Sequence, residues 1–346
     1  MRAIVIHRHG GPEVLAYEPS WPRPAPRAGE ILVKVEACAL NFLDIFSREG
    51  MPGEPTPLPH ITGGDIAGIV SAVGEGVVTP QIGARVILNP AWGCGVCEYC
   101  RKGETPLCLR SHMLGEMDPG GLAEYVACPA SQAILIPDHY GFNEAACLPI
   151  TFGTAWRMAA VHAAITPGDV VVVPGAGGGV AIAAIQIAKL MGARVVAVAS
   201  SDDKLARARE LGADEAINYS RDDRWDVRVR QLTGKRGADV ILDSVGASTW
   251  AHSIRALGKG GRLVTCGATS GPIGETDIRY VFRREQIIRG SNGWTHDELL
   301  RVASLAFAGR LRPAIDRVLP LEGTADGERA LARREVFGKV IISPWL

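Results

Sequence analysis

The sequence carries no surplus of charge of either sign. Its 37 basic and 37 acidic side chains cancel to a formal net charge of +0, and no long basic run interrupts the balance. That excludes the electrostatic footprint of a nucleic-acid or anionic-membrane partner, which clustered positive charge would hold. No apolar stretch reaches membrane-spanning length without Gly, Pro or charge. The N-terminal run Met1-Arg2-Ala3-Ile4-Val5-Ile6-His7 is too short for a secretory signal, and His7-Arg8-His9 closes it, so a cytoplasmic location is expected. Internal repeats and low-complexity tracts are missing as well. With 346 residues, 21% of them charged, the composition is that of a soluble globular protein with room for two domains.

Cysteine is present, and its distribution is uneven. Of eight cysteines, four fall within fifteen residues as Cys94-x-x-Cys97-x-x-Cys100-x₇-Cys108. Four thiolates on a short loop can close a tetrahedron around zinc and leave no position open for substrate, so the expected site is structural. Unpaired or disulfide-bonded cysteines are the competing reading, which a reducing compartment disfavours.

Residues 1 to about 150 read as mostly β, with strands over 31–37, 65–73 and 83–88 separated by Pro/Gly-rich loops such as 21–26 and 51–55. From about Phe152 strands and helices alternate. The run Val170-Val171-Val172-Val173 has no polar alternation and reads as a strand buried on both faces. A glycine-dense turn (Gly175 to Gly179) and an Ala/Ile-rich helix ending near Lys189 follow it. That order is the opening of a dinucleotide-binding βαβ unit, in which small residues let the backbone approach a pyrophosphate at a helix N-terminus. With Gly178 as the central glycine, Ala176 and Ala181 occupy the outer positions, a departure from strict G-x-G-x-x-G. Further elements are expected at 194–199 (strand), 203–211 (helix), 238–243 (strand), 251–257 (helix) and 261–267 (strand). Together they make an α/β doubly wound parallel sheet. The last helix and the strand over 337–342 are read as rejoining the first domain.

These segments resemble the medium-chain dehydrogenase/reductase superfamily. The residues that carry the likeness are Gly11-Pro12-Glu13-Val14-Leu15, Ala37-Cys38-Ala39-Leu40-Asn41-Phe42-Leu43-Asp44, the four-cysteine lobe, Gly178-Gly179-Val180, Gly237 to Gly246 and Gly338-Lys339-Val340. The resemblance implies a GroES-like β domain (1–149 and 293–346, with a zinc lobe at 90–110) and a Rossmann domain (150–292). It also implies a homodimer or homotetramer. As cofactor residues it implies Ala176, Gly178, Gly179, Val180, Ser200, Ser201, Lys204, Tyr219, Val245, Gly267 and Lys339. Asn41, Asp44 and Thr154 are the implied catalytic-site residues, and Cys94, Cys97, Cys100 and Cys108 the ligands of one structural Zn²⁺.

Zinc-dependent alcohol dehydrogenases of this family hold a catalytic zinc through a Cys, a His beside a Glu, and a second Cys or Asp. Those positions here read Asn41, Gly64 (in Gly63-Gly64-Asp65) and Ile150, which do not make a zinc site. The pattern instead resembles the quinone oxidoreductase branch, although many of its members lack the cysteine lobe. Without a Lewis acid, hydrogen-bond donors must carry the charge that develops on the substrate oxygen, and a conjugated acceptor spreads that charge. The expectation is therefore an NADPH-dependent reductase of a quinone or α,β-unsaturated carbonyl with one structural zinc. A zinc alcohol dehydrogenase using displaced ligands (Cys38, His60, Cys147) and a non-catalytic NADPH-binding protein are the alternatives. Asn41 is expected to orient substrate or nicotinamide ribose, or only to tie down its own loop. Trp92, Trp294 and His60 either line the pocket or pack. NADPH is favoured over NADH because Val198-Ala199-Ser200-Ser201 ends the second strand without a carboxylate, and Lys204 with Tyr219 matches the spacing of a 2′-phosphate site. Asp202 and Asp203 read as a helix first turn, where negative charge suits the dipole.

Overall fold

A computed structural model describes residues 1–51 and 56–346, so part of the expected 51–55 loop lies outside the described residues. The chain divides into two compact units, Met1–Ile150 with Trp294–Leu346, and Thr151–Gly293. No helix among the described residues is long and apolar enough to cross a membrane.

The first unit is built on a seven-stranded sheet. Its order runs Ile315–Pro320, Lys339–Ser343, Glu30–Ala39, Asp65–Val73, Arg85–Leu88, Ala133–Leu135, and Tyr125–Pro129 also pairs with Glu30–Ala39. Glu30–Ala39 is central because its apolar residues alternate onto the core: Ile31, Val33 and Val35 are fully buried. The C-terminal strand lies antiparallel beside it, with Ile341 opposite Ala39 and Ile342 opposite Cys38.

The mostly-β reading of this stretch missed the helices Phe42–Glu49, Phe142–Ala146 and Pro149–Trp156. The first starts directly after the central strand. Asp44, three residues past Asn41, accepts the Asn41 backbone N–H at 2.7 Å, which is the reciprocal half of a capping box. Phe42, Ile45 and Phe46 then recur at helical spacing, and the dense apolar content hid that period.

The second unit holds six parallel strands in the order Glu215–Asn218, Arg194–Ala199, Val170–Pro174, Ala238–Asp243, Leu257–Thr265, Ile287–Gly290. This is the doubly wound order, which reverses between Val170–Pro174 and Ala238–Asp243. All four valines of 170–173 are buried, each worth roughly 1.5–3 kcal/mol of transfer free energy. Helix Ala247–Ala256 begins and ends ahead of the expected 251–257, and Leu257 already opens the next strand, which carries a bulge before Val240's partner. The last strand, Ile287–Gly290, is an open edge and is exposed along its length.

Candidate functional site

In the first unit the residues after the central strand converge on a buried polar network. Asn41 sits at the N-cap of Phe42–Glu49 with extended backbone. Its amide donates to Ala39 O at 3.1 Å and to Asp65 Oδ2 at 3.0 Å, and its Oδ1 accepts from Lys339 Nζ at 2.6 Å. Lys339 also donates to Asp65 Oδ2 at 3.0 Å, and the Ile150 N–H donates to Asp65 Oδ1 at 2.8 Å. Asp65 is fully buried and Lys339 is 3% exposed. The charges are thus paired and their lone pairs satisfied, which a buried ion pair requires. Both Asn41 amide hydrogens are spent inside the unit, where they tie the network together.

Asp44 completes the arrangement by accepting from Asn41 N and from Gly63 N at 3.0 Å. Burial, with the neighbouring Glu328 and Asp65 carboxylates, pushes its carboxyl up to about 7 against the opposing pull of the Asn41 N–H and Lys339.

A catalytic zinc does not fit these residues. At the family's histidine position stands Gly64, where even a Cβ would lie 2.9 Å from Leu114 O and 3.0 Å from Ile150 Cδ1. Asn41 and Asp65 are already engaged with each other, with Lys339 and with the Ile150 N–H, and an ammonium already supplies the positive charge. The displaced set fares no better. Among the described residues, Cys94, Cys97, Cys100 and Cys108 are the one group whose ligand atoms gather within 4.8 Å, and Cys38, His60 and Cys147 form no such group. Burial pushes the Cys38 and Cys147 thiols well above their usual range, away from the thiolate a metal needs. Of the three side chains expected at the pocket or in packing, Trp294 is buried with its Nε1 on Asn89 Oδ1 at 3.0 Å. Trp92 stacks on His112 at 5.2 Å, and His60 is buried in a bridge to Ile6.

The four-cysteine lobe fits a structural zinc. Backbone N–H groups of Cys94 and Arg110 point at Cys108 Sγ (3.2 and 3.3 Å), and that of Cys100 at Cys97 Sγ (3.5 Å). Such donors stabilise thiolates, and N–H groups of Val96 and Cys97 bring the Cys94 thiol down to about 6.

In the second unit the dinucleotide cradle lies at the carboxyl ends of the strands. Gly178 is the N-cap of helix Gly179–Leu190 and no side chain caps it, so its first-turn N–H groups, Gly179 and Val180 among them, lack intrahelical partners. Ala176 is fully buried and bonds Val198 O. A Cβ on Gly175 (φ +70°) would meet Val245 Cγ2 at 2.8 Å, and one on Gly177 would meet Lys204 Cδ at 2.9 Å and Nζ at 3.5 Å. A side chain at Gly177 would push the Lys204 chain aside. Ser201 caps helix Asp202–Glu210 by accepting from Lys204 N, next to Ser200, and Tyr219 N bonds Ala199 O. The Val245 turn is held by Asp243, which accepts from Val245 N, Gly246 N, Thr249 Oγ1 and Ser253 Oγ, and Gly267 follows the next strand. These residues fit a dinucleotide. Thr154 stands on helix Pro149–Trp156 at 8% exposure. Lys339, grouped with the cofactor residues by sequence, lies in the Asn41–Asp65 network of the first unit. Asp65 itself escaped the sequence reading as a site residue, because nothing local marks a carboxylate whose partner is 274 positions away.

Two family models match the chain: "Alcohol dehydrogenase GroES-like domain" over residues 27–138 and "Zinc-binding dehydrogenase" over residues 179–307. A quinone oxidoreductase of Sus scrofa is 30% identical over 99% of this chain and 97% of its own length. An alcohol dehydrogenase of Geobacillus stearothermophilus is 32% identical over 99% of both chains. A solved NAD-dependent alcohol dehydrogenase superposes with a TM-score of 0.95 at 45% identity, covering 99% of each chain.

Proposed function

Because the chain belongs to the medium-chain dehydrogenase/reductase superfamily, we propose that it is an NADPH-dependent reductase of quinones or α,β-unsaturated carbonyls that works without a catalytic metal. It carries one structural zinc on Cys94, Cys97, Cys100 and Cys108. One observation supports this reading above the rest: the ligand positions for a catalytic zinc are filled by Asn41, Gly64 and Ile150, and the space is closed by the Asn41–Asp65–Lys339 network.

Reduced nicotinamide supplies the hydride when it is bound. The chain's own residues bind and orient. The open N-terminus of helix Gly179–Leu190 receives the pyrophosphate, with Ala176, Gly178 and Gly179 keeping side chains out of its way. Ser200, Ser201, Lys204 and Tyr219 form the pocket for a 2′-phosphate, and Val245 and Gly267 border the strand ends. Thr154 contacts the nicotinamide edge. Lys339 is held by Asn41 and Asp65, which accept two of its three N–H bonds. Asp44 holds the Gly63 turn in place. With no Lewis acid in reach, charge on the substrate oxygen must be delocalised, and an enone or quinone meets that condition. The exposed edge strand Ile287–Gly290 offers unpaired backbone to a second copy, in keeping with a homodimer or homotetramer.

The test joins metal analysis to an NADPH-oxidation panel of quinones, enones, enals and simple ketones. One zinc per chain with turnover of the conjugated substrates is expected. Two zincs per chain with chelator-sensitive oxidation of simple alcohols would overturn the reading. Tight NADPH binding without any turnover would make the chain a binding protein.

A further inference from the structure

Asp202 is the first residue of helix Asp202–Glu210, which follows the strand whose end an adenosine ribose would face. An ionised carboxylate there would repel a 2′-phosphate, yet this one is occupied on both oxygens. Asn218 Nδ2 donates to Oδ1 at 2.8 Å, and the Arg221 guanidinium pairs with Oδ2. The Asn218 amide cannot be turned the other way, because its own Oδ1 accepts the Ser220 N–H at 3.0 Å. Asn218 ends the strand beside Ala199, so its register sets where the amide points. Two residues further along the helix, the Lys204 chain lies against Gly177 of the glycine turn.

We propose that Asn218 and Arg221 act as a specificity device for the cofactor: they pair with and hold aside the Asp202 carboxylate, so that it does not oppose a 2′-phosphate at the Lys204 side of the glycine turn. The inference rests on the NADPH reading and deepens it. If the clamp is released, Asp202 is free to accept from ribose hydroxyls, the arrangement that favours a cofactor without the phosphate. The clamp is a solvent-exposed pair, so its removal leaves fold stability nearly unchanged. Its effect on a dianionic phosphate nearby is of the order of a three- to ten-fold change in affinity at low salt.

The test measures equilibrium binding, without turnover, of adenosine 2′,5′-bisphosphate and adenosine 5′-monophosphate to the full chain. The variants are Arg221→Ala, Asn218→Ala, Asp202→Asn and the double variant Arg221→Ala/Asp202→Asn, with thermal melting as a fold control. The wild type should prefer the bisphosphate. Arg221→Ala and Asn218→Ala should each lose about three- to ten-fold of that preference, and the double variant should regain most of it, because the masked charge is gone. A double variant as weak as Arg221→Ala would mean that Arg221 touches the phosphate itself, and would overturn the masking. An unchanged preference in both single variants would overturn it too while leaving the NADPH reading standing. A wild type with no preference for the bisphosphate would overturn the reading and the device together.

Discussion

Removing the ammonium of Lys339 isolates the physical core of the first unit. In Lys339→Met the Asp65 carboxylate stays fully buried with two hydrogen bonds, from Asn41 Nδ2 and Ile150 N, but no counter-charge. Breaking a buried pair from one side costs about 3–5 kcal/mol. For a unit of this size that is a fall of about 10 °C in the midpoint of its transition. Asp65→Asn strands the ammonium instead and should cost a similar amount. The double variant Asp65→Asn/Lys339→Met removes both charges but leaves Asn41 Oδ1 without its donor and the new amide NH₂ facing one of the N–H groups of Asn41 or Ile150, a loss of about 2–4 kcal/mol. The two changes should therefore couple by at least about 2 kcal/mol. Urea unfolding of the four proteins measures this, with adenosine nucleotide binding reporting that the second unit remains folded. Single variants that each cost under about 1 kcal/mol, or a double variant equal to the sum of the singles, would refute the claim that this network is a paired and satisfied ion site.

Asp44, raised to about 7 by burial, should make the first unit lose stability as pH rises from about 4 through 7, since the folded state holds a proton that the unfolded chain releases. Between pH 5 and pH 8, urea unfolding should show Asp44→Asn gaining on the wild type by at least about 1.4 kcal/mol. Cys108→Ser should lower the bound zinc from one per chain to none and should lower the melting temperature, as read by metal analysis and calorimetry. Gly64→His should fail to create a second zinc site, because its Cβ alone would press on Leu114 O, and metal analysis should show no more than one zinc per chain. Replacing Ile287 and Ile288 on the open edge by lysine should shift sedimentation toward monomer while nucleotide binding is kept.

The parts of this fold legible in sequence are those whose signal is local. Val170 to Val173 could be nothing but a strand covered on both faces, and the glycines after them announce a tight turn into a helix. The spacing of Cys94, Cys97, Cys100 and Cys108 names a chemistry in fifteen residues. Asn41 shows the opposite case. Its residue type allowed it to reach outward or to tie down its loop, and only the positions of Ala39, Asp65 and Lys339 around it decide that both amide hydrogens turn inward. Lys339 is near the far end of the chain, and its place beside Asn41 follows from the pairing of Lys339–Ser343 with the central strand. The start of helix Phe42–Glu49 was legible in principle from Asn41 and Asp44, but phenylalanines and isoleucine in quick succession imitate the strand before it.

The same network bears on what the proposed reduction can act upon. A metal ion polarises a carbonyl directly and tolerates full negative charge on one oxygen. A lysine bonded to both Asn41 and Asp65 has its charge largely offset by the carboxylate, and at 3% exposure it is buried within the first unit. A single well-placed donor is worth about 2.7–4 kcal/mol to a developing oxyanion, well short of what an unactivated ketone requires. The remainder must come from the substrate, through conjugation that carries charge away from the site of hydride addition. For the proposed reductase, keeping an ion pair where a metal could have been restricts the chemistry more than it replaces it, and the restriction falls on simple alcohols and ketones first.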